Sequence, residues 1–357
     1  CLPALITHFG ANTARIRYDY FQTLCEMLEG NYHGPIAAWC EAQGLAYAAD
    51  APVLRNARRK GIDIVGTSAS VQGRGSEDAS VDRRAAFRGN PRFAASVANQ
   101  DGKNRIFNTC FHSADWTLTM ARMKAELDGV AASGCNLYSP HGMHFSLDGI
   151  RKPGDRPSLF HQNPYWKHFR LLADYSARLS FAMSQGQRVA NVAVLDPVTT
   201  LWTHLGHPDQ DWRYVGSDPE EEKLVTRLVS DWAYISETLV RTQRDHDHLD
   251  PEALAGASVS GGRLKVGSAS YNVLIIPPIT NLEFAAFERL REFVNNGGQV
   301  VCLGLLPVED IQEGPSVVDA LSRLTDMEPG RMIKDYVGHE FGVHVLQRGN
   351  LYLIRTG

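Results

Sequence analysis

The feature that most constrains the fold is a strand followed by a helix, repeated four times in the first half of the chain. Short apolar segments predict buried strands, and amphipathic segments after them predict helices. The strands are predicted at 45–49, 62–66, 105–111 and 135–139, and the helices at 53–60, 91–102, 118–132 and 166–185. Such alternation is typical of parallel strands joined by crossover helices. Because a (β/α)8 barrel has eight units, we predict that residues 1–186, which open with a helix over 13–44, are the C-terminal half of a TIM barrel.

A second series of strands and helices follows a predicted domain boundary near 184–188. Its strands are predicted at 192–195, 271–276 and 299–303, and its long helices at 220–241 and 284–295. Because these strands are apolar without alternation, we expect them to be buried on both faces, as in an open doubly wound α/β sheet. We therefore predict a second domain over 187–312. Residues 313–357 are expected to form either an edge of this domain or the start of a further β-rich region.

Composition and charge exclude several classes of protein. The chain has 357 residues and a net charge of −4, without the basic excess of proteins that bind nucleic acid or membrane surfaces. No apolar run approaches the roughly 20 residues that cross a bilayer. The six cysteines form no CxxC pair, so we expect buried thiols and no zinc ribbon. Because the sequence has no initiator Met or signal peptide, we expect both ends to be cuts within a longer protein of periplasmic or extracellular location.

The loop after the predicted strand at 135–139 carries the densest set of polar and aromatic side chains. These are Asn136, Tyr138, His141, His144, Asp148, Arg151 and Lys152. In a parallel barrel, chemistry takes place at the carboxyl ends of the strands and in the loops that follow them. Amides and imidazoles bind sugar hydroxyls, and aromatic rings pack on the C–H face of a sugar. The loop is therefore a candidate carbohydrate site, and the alternative is a loop held by its own polar contacts.

Residues 134–186 resemble the α-L-rhamnosidases of glycoside hydrolase family 106. The matching pieces are Gly134-x-Asn136, Ser139-Pro-His141, Phe145-Ser146-x-x-Gly149-x-Arg151-Lys152, Pro157-Ser158, Gln162-Asn-Pro-x-Trp166, Ala173-Asp174-Tyr175 and Arg178-Leu-Ser180. Arg17-Tyr-Asp-Tyr20, Asp250-Pro-Glu-Ala-Leu254 and Ile276-Pro-Pro-Ile279 are similar to the same family. The similarity covers most of the chain loosely, and the block at 134–186 is its most specific part.

The resemblance implies a catalytic (β/α)8 barrel followed by a flavodoxin-like or class I glutaminase-like doubly wound domain. It further implies hydrolysis of a terminal glycosidic bond, a carbohydrate substrate, rhamnosides as the best attested substrates, and assistance by calcium. The second domain is then expected to be structural, supporting the barrel or a contact within a homo-oligomer. Partners of other kinds, nucleic acid and membrane, are not expected.

The catalytic carboxyl groups are where this sequence departs from the family. Hydrolysis of a glycosidic bond needs two carboxyl groups that flank it. Relatives often carry a glutamate on the strand at 105–111, where Thr109 stands here. One hypothesis relocates the pair, with Glu77 or its neighbour Asp78 and with Asp148 or Asp115 as candidates. The other hypothesis is a degenerate relative that binds sugar without cleaving it.

Side chains after two other predicted strands could also contact substrate. His112 and Trp116 follow the strand at 105–111, and we predict both as substrate-binding residues. For Trp116 the alternative is an apolar anchor of the following helix. Asp50 ends the strand at 45–49 and is interpreted as the N-cap of the helix that begins at 53.

Several other features are given structural interpretations. Asp245-His-Asp-His248 resembles a metal cluster, but we expect it to lie in an exposed loop without a third ligand. Cys302 lies inside a predicted strand, where a catalytic cysteine would need a sharp turn, so we expect a buried thiol. Glu220-Glu-Glu222 is interpreted as a helical first turn that favours the helix dipole. An amidotransferase is disfavoured because no cysteine elbow and no His-x-Glu pair is present, His339 and Glu340 being adjacent.

Overall fold

The computed structural model describes residues 2–50, 62–67, 90–111, 114–154, 156–207, 212–325, 336–337 and 344–355. The chain divides into two compact units. We call His33–Arg188 the central unit, and we call Cys1–Tyr32 together with Val189–Gly357 the split unit. Within the described ranges, no helix is long and apolar enough to cross a membrane.

The described part of the central unit contains a four-stranded parallel sheet. Its strands, in both chain and spatial order, are β1 (Ala48–Asp50), β2 (Ile64–Thr67), β3 (Ile106–Cys110) and β4 (Leu137–Pro140). All neighbouring strands are parallel, and the register pairs Thr109 of β3 with Ser139 of β4. The sequence prediction of parallel strands in a mixed α/β fold is therefore confirmed.

Helices join or follow these strands, and local sequence explains where they begin and end. The helices assigned to the central unit are α2 (Gly34–Ala42), α3 (Pro91–Asp101), α4 (Met120–Ala132) and α5 (Phe169–Met183), and α1 (Thr13–Leu28) precedes them in the split unit. Asn90 caps α3 by accepting a hydrogen bond from the backbone N–H of Arg92, with Pro91 as the first helical residue. Gly102 ends α3 in the left-handed conformation that glycine adopts without strain.

One face of β3 and β4 packs against α4 and α5. A buried cluster joins Cys110 and Phe111 to Leu118, Met123, Leu127, Leu159 and Leu172, with Tyr138 packed against it. Successive side chains of a strand point to opposite faces, so Thr109 and Ser139 lie on the face of the sheet away from this cluster. That second face carries the carboxyl-edge side chains available to a substrate.

The split unit has, within its described residues, a six-stranded sheet of order β14-β15-β13-β12-β5-β8. The strands of this unit are β5 (Val192–Leu195), β6 (Gly206–His207), β7 (Arg213–Tyr214), β8 (His246–Leu249), β9 (Ser258–Ser260), β10 (Arg263–Val266), β11 (Ala269–Tyr271), β12 (Val273–Ile276), β13 (Gln299–Leu303), β14 (His344–Arg348) and β15 (Leu351–Arg355). All sheet neighbours are parallel except β14 and β15. From β5 the chain runs to β8 on one side and then to β12 on the other, so the topological switch point lies between β5 and β12.

The helices of the split unit from Val189 onward are α6 (Val198–Thr203), α7 (Pro219–Arg241), α8 (Pro251–Ala255), α9 (Phe284–Asn295) and α10 (Val317–Thr325). Asp218 caps α7 by accepting a hydrogen bond from the backbone N–H of Glu220 at 2.9 Å. Along α7, Leu224, Leu228 and Trp232 are buried at the four-residue spacing of one helix face. The sheet core is therefore covered by a helix whose apolar stripe is visible in the sequence.

The structure differs from the sequence predictions at three points of the split unit. Helix α1 belongs to this unit and not to the barrel-like half, because Phe21 stacks on Trp202 with ring centroids 5.7 Å apart and Arg17 is buried. The segment 246–248 is a buried strand and not an exposed loop. Strands β9 to β11 form a small antiparallel sheet that the sequence analysis did not predict.

Candidate active site

The carboxyl end of β3 is held by a buried carboxyl group. Phe111 has a left-handed backbone conformation with φ of 68°, and its N–H donates a hydrogen bond of 2.7 Å to Oε1 of Glu126 on α4. Burial raises the pKa of Glu126. Cys110, next to Phe111, is a buried thiol whose pKa is raised by burial and by the nearby Glu126. Glu126 therefore fixes the point where the chain leaves β3, a role that sequence spacing did not reveal.

The loops after β3 and β4 contact each other in the structure. The indole Nε1 of Trp116 donates a hydrogen bond of 2.8 Å to the carbonyl oxygen of Lys152. The carboxylate of Asp115 lies 3.8 Å from Nε of Arg156. The backbone N–H of His141 donates to the carbonyl oxygen of Cys110 at 2.9 Å. The two segments predicted to border a substrate site are thus adjacent at one edge of the sheet.

A side-chain latch holds the loop after β4, and its members are Ser158, Gln162 and Asn163. The Gln162 amide donates to the carbonyl oxygens of His144 and Phe145, at 2.9 and 3.1 Å, and accepts from the Ser158 hydroxyl at 2.9 Å. The Asn163 amide donates to the Ser158 carbonyl oxygen at 2.9 Å. Because one amide group binds two consecutive carbonyl oxygens, the latch gives residues 144–145 a defined conformation. The Gln162-Asn-Pro motif therefore shapes the loop.

Two of the three predicted catalytic acids can be located. Asp148 is exposed, and its carboxylate accepts a hydrogen bond of 2.6 Å from the Ser146 hydroxyl. Asp115 is also exposed, and it accepts from the backbone N–H of Trp116 at 2.6 Å besides facing Arg156. Glu77, like its neighbour Asp78, lies outside the described residues. Both described acids thus lie on the adjoining loops, and neither lies on a strand.

Five of the predicted substrate-binding residues lie either on the adjoining loops or outside the described residues. Trp116, His141 and His144 are half-buried on the adjoining loops, and Arg151 is exposed there, donating to the Asp148 carbonyl oxygen. His112 lies outside the described residues, as does the side chain of Asp50.

Asn136 and Tyr138 have structural surroundings, which corrects their prediction as substrate ligands. Asn136 precedes β4 at its amino end, is buried, and bonds the backbone of Asn104 and Ile106. The Tyr138 hydroxyl points back to the carbonyl oxygen of Cys135. Sequence proximity to the loop assigned them to the site, but strand direction and alternation turn them away from it.

The sequence analysis missed an aromatic side chain on the same loop. Phe145 is 88% exposed, and Met143 and Ile150 nearby are also exposed. An exposed aromatic face beside polar groups is the surface that packs against a sugar ring. The Phe145-Ser146 pair was part of the family motif, so the signal for this residue was already visible.

The other candidate clusters lie in the split unit and are buried. His246 and His248 of β8 bond the Ser236 hydroxyl at 3.0 and 3.3 Å, and Nδ1 of His248 lies 2.8 Å from the Asp196 carboxylate. Among the described residues, no group of three or more His, Cys, Asp or Glu side chains could hold a metal ion. Cys302 is a buried strand thiol whose pKa burial raises to about 12, so the prediction of an inert core thiol is confirmed.

Solved structures of two glycosidases superpose on this chain. A rhamnosidase from Novosphingobium sp. PP1Y superposes with a TM-score of 0.58 and 19% identity, covering 97% of this chain and 30% of its own. A beta-galactosidase of glycoside hydrolase family 42 from G. stearothermophilus superposes with a TM-score of 0.57 and 12% identity, covering 95% of this chain and 47% of its own. The chain therefore has a fold that occurs in glycoside hydrolases.

The family follows from the sequence match. Residues 2–216 match the alpha-L-rhamnosidases of glycoside hydrolase family 106, and the chain belongs to this family. A curated relative from Formosa agariphila is 20% identical over 310 residues. Its name describes it, provisionally, as a beta-glucuronidase. That match covers 84% of this chain but 23% of the relative, so the chain spans about a quarter of its length.

Proposed function

We propose that the chain is part of a glycoside hydrolase that cleaves a terminal glycosidic bond, with α-L-rhamnosides as substrates. The family match over residues 2–216 carries this proposal. The adjoining loops after β3 and β4 support it, because they bring an exposed aromatic ring, imidazoles and carboxylates to one edge of a parallel sheet. That edge is where enzymes with parallel α/β sheets carry out their chemistry.

In this proposal the four strands of the central unit are half of a (β/α)8 barrel, and the split unit is its flavodoxin-like or glutaminase-like companion. Within the described residues, β1 and β4 each have one edge without a neighbouring strand. Apolar side chains of α5 are exposed as well, Leu171 by 68% and Phe181 by 70%. Unpaired edges and exposed apolar faces are expected of a sheet that continues in further chain.

The sugar would be held by Trp116, His141, His144 and Arg151, with Phe145 as the aromatic platform and His112 as a further contact. Acid and base would come from Asp148 together with Asp115 or Glu77. A carboxyl pair separated by about 5 Å fits a covalent intermediate, and a wider separation of about 6.5 to 9.5 Å fits direct attack by water. The latch formed by Ser158, Gln162 and Asn163 keeps His144 and Phe145 in their binding conformation.

A specific observation favours a second candidate, a relative that binds carbohydrate without hydrolysing it. The family resemblance assigns Thr109 to the position on β3 where relatives often carry glutamate, and in the structure Thr109 is paired in register with Ser139. Strands β2, β3 and β4 contain no acidic residue. Asp148 and Asp115, the described acids of the two adjoining loops, are exposed, and acids on exposed loops have a weaker claim to a rigid catalytic pair.

Calcium assistance stays a proposal that rests on the family resemblance. Among the described residues, no group of three or more acidic, histidine or cysteine side chains could hold a metal ion.

The two candidates are separated by hydrolysis and binding measured on the full-length protein. Release of the aryl group from aryl α-L-rhamnosides supports the hydrolase. Binding of L-rhamnose by calorimetry without aryl release supports the degenerate binder. If the protein neither hydrolyses nor binds any member of a panel of terminal sugars, both candidates are contradicted.

A further inference from the structure

The carboxyl edge between β5 and β12 in the split unit is the place where doubly wound folds bind their ligands. Three chain segments leave the sheet there. His204 follows β5 and α6, Thr280 and Asn281 follow β12, and Glu309 follows β13. All of these side chains are polar, so the edge has the composition of a ligand site.

These side chains bind one another in the structure. Oε1 of Glu309 accepts hydrogen bonds from the Thr280 hydroxyl at 3.0 Å and from the Asn281 amide at 2.9 Å. The His204 ring lies between two carboxylates, with Nδ1 3.2 Å from Glu221 and Nε2 3.4 Å from Glu309. The Tyr214 hydroxyl donates to the second oxygen of Glu221 at 3.0 Å.

Arg17 of α1 completes this network from a distant part of the sequence. Its side chain is 1% exposed. Nε donates to the Ala4 carbonyl oxygen at 2.6 Å, and Nη1 donates to the Thr203 carbonyl oxygen at 2.6 Å and to Glu221 at 2.5 Å. The guanidinium thus joins the N-terminal segment to the turn after α6 and to the first turn of α7.

Charge balance explains why the network tolerates burial. Burial alone would lower the pKa of His204, but the carboxylates of Glu309 and Glu221 outweigh it and raise that pKa to about 9. Burial would raise the pKa values of Glu221 and Glu309, but hydrogen bonds and charge from His204, joined by Arg17 at Glu221, lower both to about 2. Two cations therefore face two carboxylates, and removing one cation leaves a carboxylate buried without compensation.

We propose that the carboxyl edge between β5 and β12 is an arginine-binding site, which the chain fills with its own Arg17 to hold residues 2–28 on the split unit. The group recognised is the guanidinium of a peptide segment. A guanidinium donates along several fixed directions, so it can bind the Thr203 carbonyl oxygen and the Glu221 carboxylate of the site while Nε donates to Ala4 within its own segment, and an ammonium group does not match this geometry. The site that binds small molecules in related folds thus serves here as an internal anchor.

Apolar packing also holds α1 on the split unit, so the test must separate the effect of this packing from the effect of the Arg17 charge. Phe21 stacks on Trp202 with an interplanar angle of 16°, and substitutions at Arg17 leave both of these side chains in the sequence. Arg15 is a matched control on the same helix, because it is 40% exposed and pairs with Glu313 at the surface.

The experiment compares Arg17→Ala with Arg15→Ala by hydrogen exchange of residues 2–28 and by melting temperature, with and without millimolar methylguanidinium. In Arg17→Ala we expect exchange at least ~10-fold faster than in Arg15→Ala, and saturable recovery with methylguanidinium. Methylammonium should give no recovery. Equal protection in the two variants, or equal recovery with methylammonium, overturns the proposal.

Arg17→Lys keeps the proposal testable if Arg17→Ala does not fold. It retains the charge and loses the guanidinium geometry. We expect residues 2–28 to exchange faster in Arg17→Lys than in the wild type, while Arg15→Lys exchanges like the wild type. Wild-type protection in Arg17→Lys overturns arginine recognition.

Discussion

The two units of this chain present the same feature, the carboxyl edge of a parallel sheet, in opposite states. In the central unit the edge carries exposed groups such as Asp148 and Phe145. The loops at this edge are fixed by hydrogen bonds from the Phe111 N–H to Glu126 and from the Gln162 amide to the His144 carbonyl oxygen. In the split unit the edge carries the buried Arg17 and the half-buried Glu221, His204 and Glu309, whose charges are already matched, with Arg17 against Glu221 and His204 between two glutamates.

The difference teaches that position in the fold alone does not make a site. An exposed carboxylate beside an aromatic ring can exchange water for a sugar, whereas a buried carboxylate bound by a guanidinium has no capacity left for a ligand. The central unit therefore has the features of a substrate site, and the split unit has those of an anchor.

The largest expected effect is on hydrolysis in the full-length protein. If Asp148 is one of the two catalytic carboxyl groups, Asp148→Asn should lower kcat on aryl α-L-rhamnosides by about 10²- to 10⁴-fold, because the amide cannot transfer a proton. A similar loss of kcat in Asp115→Asn or in Glu77→Gln would identify the second catalytic carboxyl group. Asp174→Asn is the control, an exposed acid of α5 paired with Arg170. Wild-type rates in all three site variants would remove these acids from the mechanism.

The next largest effect is on the stability of the split unit. Arg17→Met should lower its free energy of unfolding by about 3–5 kcal/mol, because the change leaves the half-buried carboxylates of Glu221 and Glu309 with His204 as their one remaining cation. Arg15→Met removes an exposed pair and should cost no more than about 1 kcal/mol. Urea unfolding followed by tryptophan fluorescence measures both. A similar loss in the two variants would mean that the split unit's edge is not an anchor.

The stability of the split unit should also depend on pH through His204. Its pKa is raised from about 6.5 in the unfolded chain to about 9, so its contribution is complete below pH 6.5. Between pH 6.5 and 9 the unfolded state loses this proton first, and stability should fall by roughly 2–3 kcal/mol. The pKa values of its carboxylate neighbours Glu221 and Glu309 are both lowered to about 2, well below this window.

His204→Gln provides the control for this pH dependence. It should flatten stability over the same range while remaining less stable than the wild type below pH 6.5. Unfolding free energies measured at intervals between pH 6 and 9.5 would decide the matter. An unchanged slope in His204→Gln would assign the pH dependence to other groups.

The smallest predicted effect is on the loop latch of the central unit. Gln162→Ala removes two hydrogen bonds to backbone carbonyl oxygens and should weaken L-rhamnose binding by about 1–2 kcal/mol, roughly a 5- to 30-fold rise in Kd. Gln185→Ala, on an exposed glutamine near the end of α5, should leave binding unchanged. Equal Kd values for the two variants would mean that the latch does not shape the sugar site.

Periodicity predicted the regular parts of the fold well. The apolar runs at 105–111 and 271–276 became β3 and, for the most part, β12, and the apolar stripe at 220–241 became α7. These elements are determined by local burial, which sequence patterns record directly. The same patterns assigned α1 to the wrong unit, because its partner Trp202 lies 181 residues from Phe21 and no local pattern encodes such a contact.

The site was predicted less completely, for a related reason. Residue type and loop position correctly brought Asp115 and Trp116 close to the loop that contains Lys152 and Arg156. Type alone could not distinguish Asn136, which bonds the backbone, from a sugar ligand. Residue type and position also led to the interpretation of Glu221 as a helix-dipole residue, although the Glu221 carboxylate binds Arg17 and His204 across the fold.

The most direct test of the contrast between the two edges is hydrogen exchange with and without saturating L-rhamnose on the full-length protein. We predict that sugar will slow exchange in residues 114–118 and 141–163 of the central unit. It should leave residues 196–205, 277–281 and 304–309 of the split unit unchanged. Slowed exchange at the split unit's edge, with none in the loops of the central unit, would contradict the account.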